Sequence, residues 1–437
     1  MESTIKVQEE KKLESIFRNR NFILLFLGKL VSQLGDVIYN MAIGWYILTI
    51  TSSALQMSIY MAIGTVVYVV MGPIGGVIAD RLDRKMLIIW MDYIRGAAVA
   101  LTGLMMYFNI QSIWILYITS AVLSVCGAIF VPASNALIPN IVEEEQLTKA
   151  NSMAASIQSI SGIVGLVAGG VLYALIGIKA IFILNAVSYV LCGILETFII
   201  LPKEDAKESL SAGEPALNLK EGSLIGNMTK ELLEGYKYIK KEKGFFILIL
   251  FSAVINFVLT PVFAIYVPYI FNQVLKTSAE RYSIVSAAMS IGFLLGAAIV
   301  SRTFKGEKIN KILRLCNVGL TATILAIYIT MKLYSINVIS SFMVLIFFII
   351  LFLILGITLS ILNIPIMVVI QKIIPNEMLG RISALSSTLA MMAMPLGMII
   401  GGTLTDLLAI NVILFVTAIV YGIITIYLCS NKELSKI

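Results

Sequence analysis

The chain has 437 residues, of which 59% are hydrophobic and only 13% are charged, and its formal net charge is +7. A soluble domain carries about 25% charged residues, so the composition excludes a soluble globular protein and indicates a polytopic membrane protein. The chain lacks histidine, and its four cysteines lie far apart within apolar runs. We therefore expect neither a disulfide framework nor a metal site, and no cofactor.

The apolar runs predict the transmembrane helices, because a membrane helix needs about 20 apolar residues. The sequence predicts an all-α membrane protein with twelve such helices. In chain order, the predicted spans lie near residues 22–49, 55–79, 86–108, 112–138, 148–175, 178–201, 245–272, 281–303, 310–331, 338–370, 381–408 and 411–430.

Three polar segments lie outside these spans: an N-terminal tail at 1–21, a central loop at 202–244 and a C-terminal tail at 431–437. The first carries charges of both signs and is followed by no small-residue cleavage site, so no signal peptide is predicted. In the central loop, Ser223 to Lys243 has apolar residues at helical spacing. This pattern predicts an amphipathic helix along the inner membrane face, with a solvated linker helix as the alternative.

The basic residues predict the orientation of the chain in the membrane. If the N-terminus is cytoplasmic, 26 of the 32 Lys and Arg residues fall in cytoplasmic segments and four fall in outer loops. This bias follows the positive-inside rule and predicts that both termini are cytoplasmic. It also accounts for the net positive charge, so no nucleic-acid partner is expected.

A Gly-x-x-x-Gly pattern recurs on the second, fifth, eighth and eleventh spans, which suggests two related six-helix halves at 22–201 and 245–430. Glycines at this spacing allow helix backbones to approach closely, so we expect tight packing at each pair. The pairs are Gly72 and Gly76, Gly165 and Gly169, Gly292 and Gly296, and Gly397 and Gly401.

The short loop between the second and third spans carries the most specific motif. Gly76-Val-Ile-Ala-Asp80-Arg-Leu-Asp83-Arg-Lys85 resembles the loop signature of the major facilitator superfamily, Gly-x-Leu-Ala-Asp-Arg-x-Gly-Arg-Lys. Asp83 stands where that family usually has glycine. In this departure the chain is similar to the drug:proton antiporter branch that contains macrolide efflux proteins and the enterobactin exporter. The resemblance implies a major facilitator fold of two pseudo-symmetric halves.

Asp36 is the candidate proton-coupling residue. It lies 14 residues into the first span, which is about 21 Å along a helix and close to mid-membrane. Ionisable residues inside a membrane are energetically expensive and usually functional, and a carboxyl group in apolar surroundings can carry a proton reversibly. The alternative is a structural residue held by a hydrogen bond or an ion pair.

Three further acids and a base lie within or near the ends of spans. Asp92 and Arg95 are three residues apart on the third span and can form a buried ion pair, with proton relay as the alternative role. The sequence leaves open whether Asp36 or this pair carries the coupling. Glu196 and Asp406 lie near the ends of their spans, so we expect both to be solvated.

The charged loop itself is a candidate cytoplasmic gate. A carboxylate at the inner end of the second span can accept hydrogen bonds from a neighbouring helix N-terminus. The resemblance implies that this cluster latches the two halves on the cytoplasmic side, whereas a signal for membrane topology alone is the alternative. The gate residues are Asp80, Arg81, Arg84 and Lys85.

The resemblance also implies that the first, fourth, seventh and tenth spans line the substrate cavity. Aromatic and amide side chains on these spans suit large amphipathic cations or neutral compounds, although packing is the alternative role for each one. The candidates are Tyr39, Asn40, Trp45, Asn135, Asn256, Phe257, Phe263, Tyr266 and Asn363.

Together these features imply proton-coupled efflux of small amphipathic compounds, such as macrolide-like drugs, by alternating access across a bacterial plasma membrane. The expected partners are a small-molecule substrate, protons and the lipid bilayer, and we expect a monomer that is not an enzyme. One alternative is a dedicated exporter or importer of a single metabolite such as a siderophore or lysophospholipid. Another is a non-transporting sensor or scaffold. An ATP-driven pump is disfavoured because the chain lacks a Gly-x-x-x-x-Gly-Lys-Ser/Thr loop.

Overall fold

The computed structural model describes residues 16–201, 243–304, 309–373 and 376–430. The predicted amphipathic helix of the central loop and the C-terminal tail lie outside these residues. Within the described ranges the regular structure is helical and contains no strand. This is the expected result in lipid, where the backbone N–H and C=O groups of a spanning segment must be satisfied within that segment.

Eleven long helices in the described ranges are apolar enough to cross a membrane. They are α1 (Arg20–Thr51), α2 (Ala54–Arg81), α3 (Arg84–Tyr107), α4 (Ile113–Ile141), α5 (Leu147–Thr197), α6 (Lys243–Pro261), α7 (Ala279–Thr303), α8 (Ile309–Ser335), α9 (Ser341–Ile373), α10 (Asn376–Leu407) and α11 (Ile410–Ser430).

Helix α5 accounts for two of the predicted spans. It contains 51 residues, whereas the hydrocarbon core of a bilayer is about 30 Å thick and needs about 20 helical residues. Its backbone leaves the helical region at Gly177, where φ is 72° and ψ is 175°. This break lies between the predicted spans 148–175 and 178–201. The described helices therefore provide twelve crossings, and the predicted all-α membrane fold is confirmed.

The seventh span is less regular than the sequence suggests. Helix α6 ends at Pro261, and the chain continues through two π-helical turns, Val262–Tyr266 and Ile270–Val274, on either side of Val267–Tyr269. Proline has no N–H to donate into the helix and displaces the carbonyl one turn before it. Such wide turns are often found at functional positions in helices.

The charged loop between α2 and α3 is very short, and Asp83 explains how α3 begins. The Asp83 side chain accepts a hydrogen bond at 3.0 Å from the backbone N–H of Met86. An aspartate at this position satisfies one of the free N–H groups at a helix N-terminus. The residue that departs from the family signature is therefore the N-cap of α3.

The chain forms two compact units. Of the described residues, unit 1 comprises 16–43 and 63–201, and unit 2 comprises 44–62 and those from 243 onwards. In unit 1, α3 packs against α4 and α5. In unit 2, α7 packs against α9, α6 against α10, and α8 against both α9 and α11. The C-terminal part of α1 and the start of α2 thus group with unit 2, whereas the predicted first half at 22–201 includes them.

The glycine pairs differ in their surroundings. A Cβ atom added at Gly72 or Gly76 would meet no described atom within 4 Å, so the packing prediction is wrong at these two positions. The close approach on α2 is made by Gly75, where a Cβ would overlap the carbonyl group of Ala128 on α4. A Cβ would also lie within 3.4 Å of a neighbouring helix at Gly165, Gly169, Gly292, Gly296, Gly397 and Gly401.

Candidate functional site

Asp36 lies at the centre of a polar cluster within unit 1. It is 16 residues from the start of α1, about 24 Å along the helix axis, and its side chain is 26% exposed. The hydroxyl of Tyr189, on the second part of α5, donates a hydrogen bond to Oδ1 of Asp36. Nη1 of Arg95 lies 4.0 Å from Oδ2. The structure therefore brings Asp36 together with both a hydrogen-bond donor and a cation.

Arg95 connects Asp36 with Asp92. Its Nη2 donates to Oδ1 of Asp92, one helical turn earlier on α3, and both side chains are buried. The guanidinium carbon lies 4.4 Å from the ring centroid of Phe130 and 4.6 Å from that of Tyr189. A planar guanidinium can stack on aromatic rings while it binds carboxylates with its edges. One cation thus faces two carboxyl groups, so protonation of either carboxyl changes which one Arg95 neutralises.

Glu196 and Cys192 extend this cluster along α5. The expectation that Glu196 is solvated is wrong, because the residue is fully buried. The Cys192 thiol donates to Oε1 of Glu196 at 3.6 Å. One oxygen or sulfur atom from each of Asp92, Cys192 and Glu196 lies within 4.8 Å of those of the other two, so these side chains form a compact polar trio. This extension of the cluster could have been found in the sequence, because three polar residues lie at helical spacing on one face of α5: Tyr189, Cys192 and Glu196.

The basic residues of the charged loop bind the ends of other helices in unit 1. Arg84 donates to the carbonyl oxygen of Ala136 at 3.3 Å and to Oδ1 of Asn140 at 3.2 Å, both near the end of α4. Lys85 donates to the carbonyl oxygen of Thr197 at 2.9 Å, where α5 ends. Cations are favoured at helix C-termini by the helix dipole. Asp80 and Arg81 are exposed, and their role in a gate stays a prediction.

The predicted cavity residues of unit 1 have varied environments. Tyr39 is buried and packs edge-on against Phe182, with the ring centroids 5.4 Å apart. Asn40 and Asn135 are exposed. Oδ1 of Asn135 accepts a hydrogen bond at 3.3 Å from Nζ of Lys29 on α1.

In unit 2, several of the predicted cavity residues make packing contacts. Trp45 stacks on Tyr282 with ring centroids 5.7 Å apart, and Asn256 donates to the carbonyl oxygen of Ala390 at 3.1 Å. Phe257 supplies the carbonyl group against which Gly397 packs. Of the other three candidates, Phe263 is half-buried, Tyr266 is buried and Asn363 is exposed.

Asp406 forms a contact that the sequence does not reveal. This carboxylate lies at the end of α10 and accepts hydrogen bonds from the backbone N–H groups of Ala54 at 2.7 Å and Leu55 at 3.1 Å. The hydroxyl of Ser53 also donates to it at 2.5 Å. The exposed carboxylate, expected to be solvated, therefore caps the N-terminus of α2 within unit 2.

The comparison with protein families identifies the fold. Residues 25–348 match the model of the Major Facilitator Superfamily. The chain belongs to this superfamily. A Major Facilitator protein of this kind is a multi-pass membrane transporter and not an enzyme, and the resemblance of the charged loop is thereby confirmed.

Relatives and solved structures agree with the superfamily assignment. The chain is 28% identical over 390 residues to macrolide efflux protein A of Streptococcus pyogenes, covering 89% of this chain and 90% of the relative. It is 24% identical to the multidrug efflux pump Tap of Mycolicibacterium fortuitum, covering 94% and 96% of the two chains. A bacterial homologue of the iron transporter ferroportin, solved in an inward-facing state, is similar with a TM-score of 0.70 at 18% identity, covering 94% and 99%.

Proposed function

We propose that this Major Facilitator protein exports small amphipathic compounds, such as macrolide-like drugs, in exchange for protons. Similarity to macrolide and multidrug efflux proteins over about nine-tenths of the chain supports an efflux role. In this proposal the protein acts as a monomer in the plasma membrane, and both of its termini are cytoplasmic. The aromatic and amide residues named above would contact the substrate.

The observation that carries proton coupling is the position of Asp36 between Tyr189 and Arg95. When Asp36 is ionised, the charge of Arg95 is shared between two carboxylates. When Asp36 binds a proton, Arg95 neutralises Asp92 alone. Loss or gain of one proton therefore changes the contacts that join α1 to α3 and α5. A ligand shifts a conformational equilibrium only through such a difference in contacts between states.

The test uses the full chain in proteoliposomes with an imposed pH gradient and radiolabelled erythromycin. Asp36→Asn keeps the size of the side chain but cannot exchange a proton, so we expect it to lose gradient-driven accumulation of erythromycin. Asp36→Glu, which keeps the carboxyl group, is expected to retain part of the activity. The matched control is Glu143→Gln, because Glu143 is an exposed acid beyond the end of α4. Accumulation by Asp36→Asn at the wild-type rate would contradict the assignment of Asp36.

A susceptibility panel separates multidrug efflux from transport of one metabolite. Cells that express the wild-type chain are expected to tolerate several unrelated amphipathic compounds better than cells that express Asp36→Asn. A dedicated carrier of a single compound would change tolerance to at most that compound. A protein with no transport activity would change neither tolerance nor flux.

A further inference from the structure

Two carboxyl groups of unit 1 are buried with incomplete hydrogen bonding. Asp92 and Glu196 have no measurable exposure. Oδ2 of Asp92 and Oε2 of Glu196 have no hydrogen-bond partner among the described residues. An ionised carboxylate is stable in such a place only if it is paired and hydrogen-bonded. Asp92 meets this condition through Arg95, whereas Glu196 has only the thiol of Cys192.

The distance between these two carboxyl groups limits their charge. One oxygen of each lies within 4.8 Å of the other and of the Cys192 sulfur. Two carboxylates that share one site do not both ionise, because like charges at this distance repel strongly in apolar surroundings. One proton is therefore held by the pair. Because the guanidinium of Arg95 is bonded to Asp92 and not to Glu196, Glu196 is the carboxyl group better placed to hold that proton.

The charges that face Glu196 argue against a bound metal cation. From α3 come Asp92 and Arg95, and from α1 come Lys29 and, beyond Arg95, Asp36. Cys192 and Tyr189 face the cluster from the same helix as Glu196. A divalent cation would have to compete with the guanidinium for Asp92. It would also be repelled by the charge of Lys29. A proton on Glu196 neutralises this carboxylate and brings no further positive charge into the cluster.

Glu196 also occupies a useful position along the membrane. It is one residue from the end of α5, and the next residue, Thr197, accepts a hydrogen bond from Lys85 of the charged loop. Helix α1 begins at Arg20, and Asp36 lies 16 residues further along it. The groups thus follow the order Glu196, Asp92, Arg95 and Asp36 from the end of the helices that bears the charged loop towards mid-membrane.

We propose that Glu196 is a second proton-carrying residue and that Asp92 relays its proton. When Asp36 is ionised and shares Arg95, Asp92 is neutralised less fully. The O–H bond of Glu196 then breaks, an O–H bond forms on Asp92, and the negative charge passes to Glu196, where the charge of Lys29 attracts it. That this proton transfer is coupled to transport rests on the proton-coupled efflux proposed above. That Glu196 holds a proton does not rest on it.

The first test measures the proton directly in the full-length protein. Infrared difference spectra over a pH titration detect the carbonyl band of each carboxylic acid that exchanges a proton. We expect Glu196→Gln to remove one band that wild type and Glu143→Gln both show, and Asp36→Asn to remove a different one. An unchanged spectrum for Glu196→Gln would overturn the proposal.

The second test measures transport of erythromycin. Glu196→Gln is expected to lose accumulation driven by a pH gradient but to keep exchange of labelled for unlabelled erythromycin, which needs no net proton movement. Accumulation at the wild-type rate would overturn the proposal. If wild type itself shows no gradient-driven accumulation, the proposed function fails while the infrared result still decides the role of Glu196. Binding of Zn²⁺ by wild type that is lost in Cys192→Ser would assign the trio to a cation and would also overturn the proposal.

Discussion

Nη1 of Arg95 lies 4.0 Å from Oδ2 of Asp36. The same guanidinium is bonded to Asp92, so its removal leaves a buried carboxylate without a partner. We expect Arg95→Met to lower the free energy of unfolding by about 3–5 kcal/mol, as measured for broken buried ion pairs. Denaturation of the detergent-solubilised protein, followed by circular dichroism, measures this change.

The matched control for Arg95→Met is the double variant Asp92→Asn with Arg95→Met. It removes both charges and should recover most of the lost stability, because no unpaired charge remains. It should not recover accumulation of erythromycin driven by a pH gradient. A double variant as unstable as the single one would show that Arg95 stabilises the protein through its stacking on Phe130 and Tyr189 rather than through its charge.

The cap formed by Asp406 can be tested by two substitutions of different severity. Asp406→Ala removes every side-chain acceptor from the N-terminus of α2, so we expect a loss of about 0.5–2 kcal/mol in the free energy of unfolding. Asp406→Asn keeps one carbonyl oxygen and should lose less. Equal stability of wild type and Asp406→Ala would mean that Ala54 and Leu55 find other acceptors at no cost.

The glycines of α2 provide a pair of neighbouring positions with opposite expectations. At Gly75 an added methyl group would overlap the carbonyl of Ala128, whereas at Gly76 it meets no described atom within 4 Å. We expect Gly75→Ala to destabilise the protein by about 1–3 kcal/mol, as for an overpacked core. Gly76→Ala should be neutral or should stabilise it by up to about 1 kcal/mol, the difference in helix propensity.

Melting temperatures of the two purified glycine variants, compared in the same detergent, distinguish these outcomes. A lower value for Gly76→Ala than for Gly75→Ala would contradict the assignment of the close approach to Gly75.

The role of Asp83 as the cap of α3 predicts a graded response. We expect Asp83→Ala to lower the free energy of unfolding by about 0.5–2 kcal/mol. Asp83→Gly should lower it by only about 0.3 kcal/mol, because glycine is tolerated at an N-cap. Thermal unfolding in detergent measures both. A greater loss for Asp83→Gly than for Asp83→Ala would show that Asp83 acts through something other than the bond to Met86.

The transmembrane spans could be predicted from the sequence, because every segment that crosses the lipid needs a similar length of apolar residues. It was not sufficient for the neighbours of a side chain. Glu196 is near the end of its span, and only the packing of α3 against α5 shows that it is buried next to Asp92. Likewise, Asp406 finds its partners about 350 positions earlier in the chain. The glycine pattern also does not show which glycine of α2 faces α4, since that depends on the rotation of both helices.

Gly177 has a practical consequence for mapping the topology of the protein. Its φ of 72° and ψ of 175° belong to a backbone region that is essentially restricted to glycine, and two crossings meet there without an intervening loop. An epitope or protease site inserted at this junction would have to separate the two crossings. The turns at Asn109 and Asn337, which lie between separate helices, are therefore better positions for accessibility reporters.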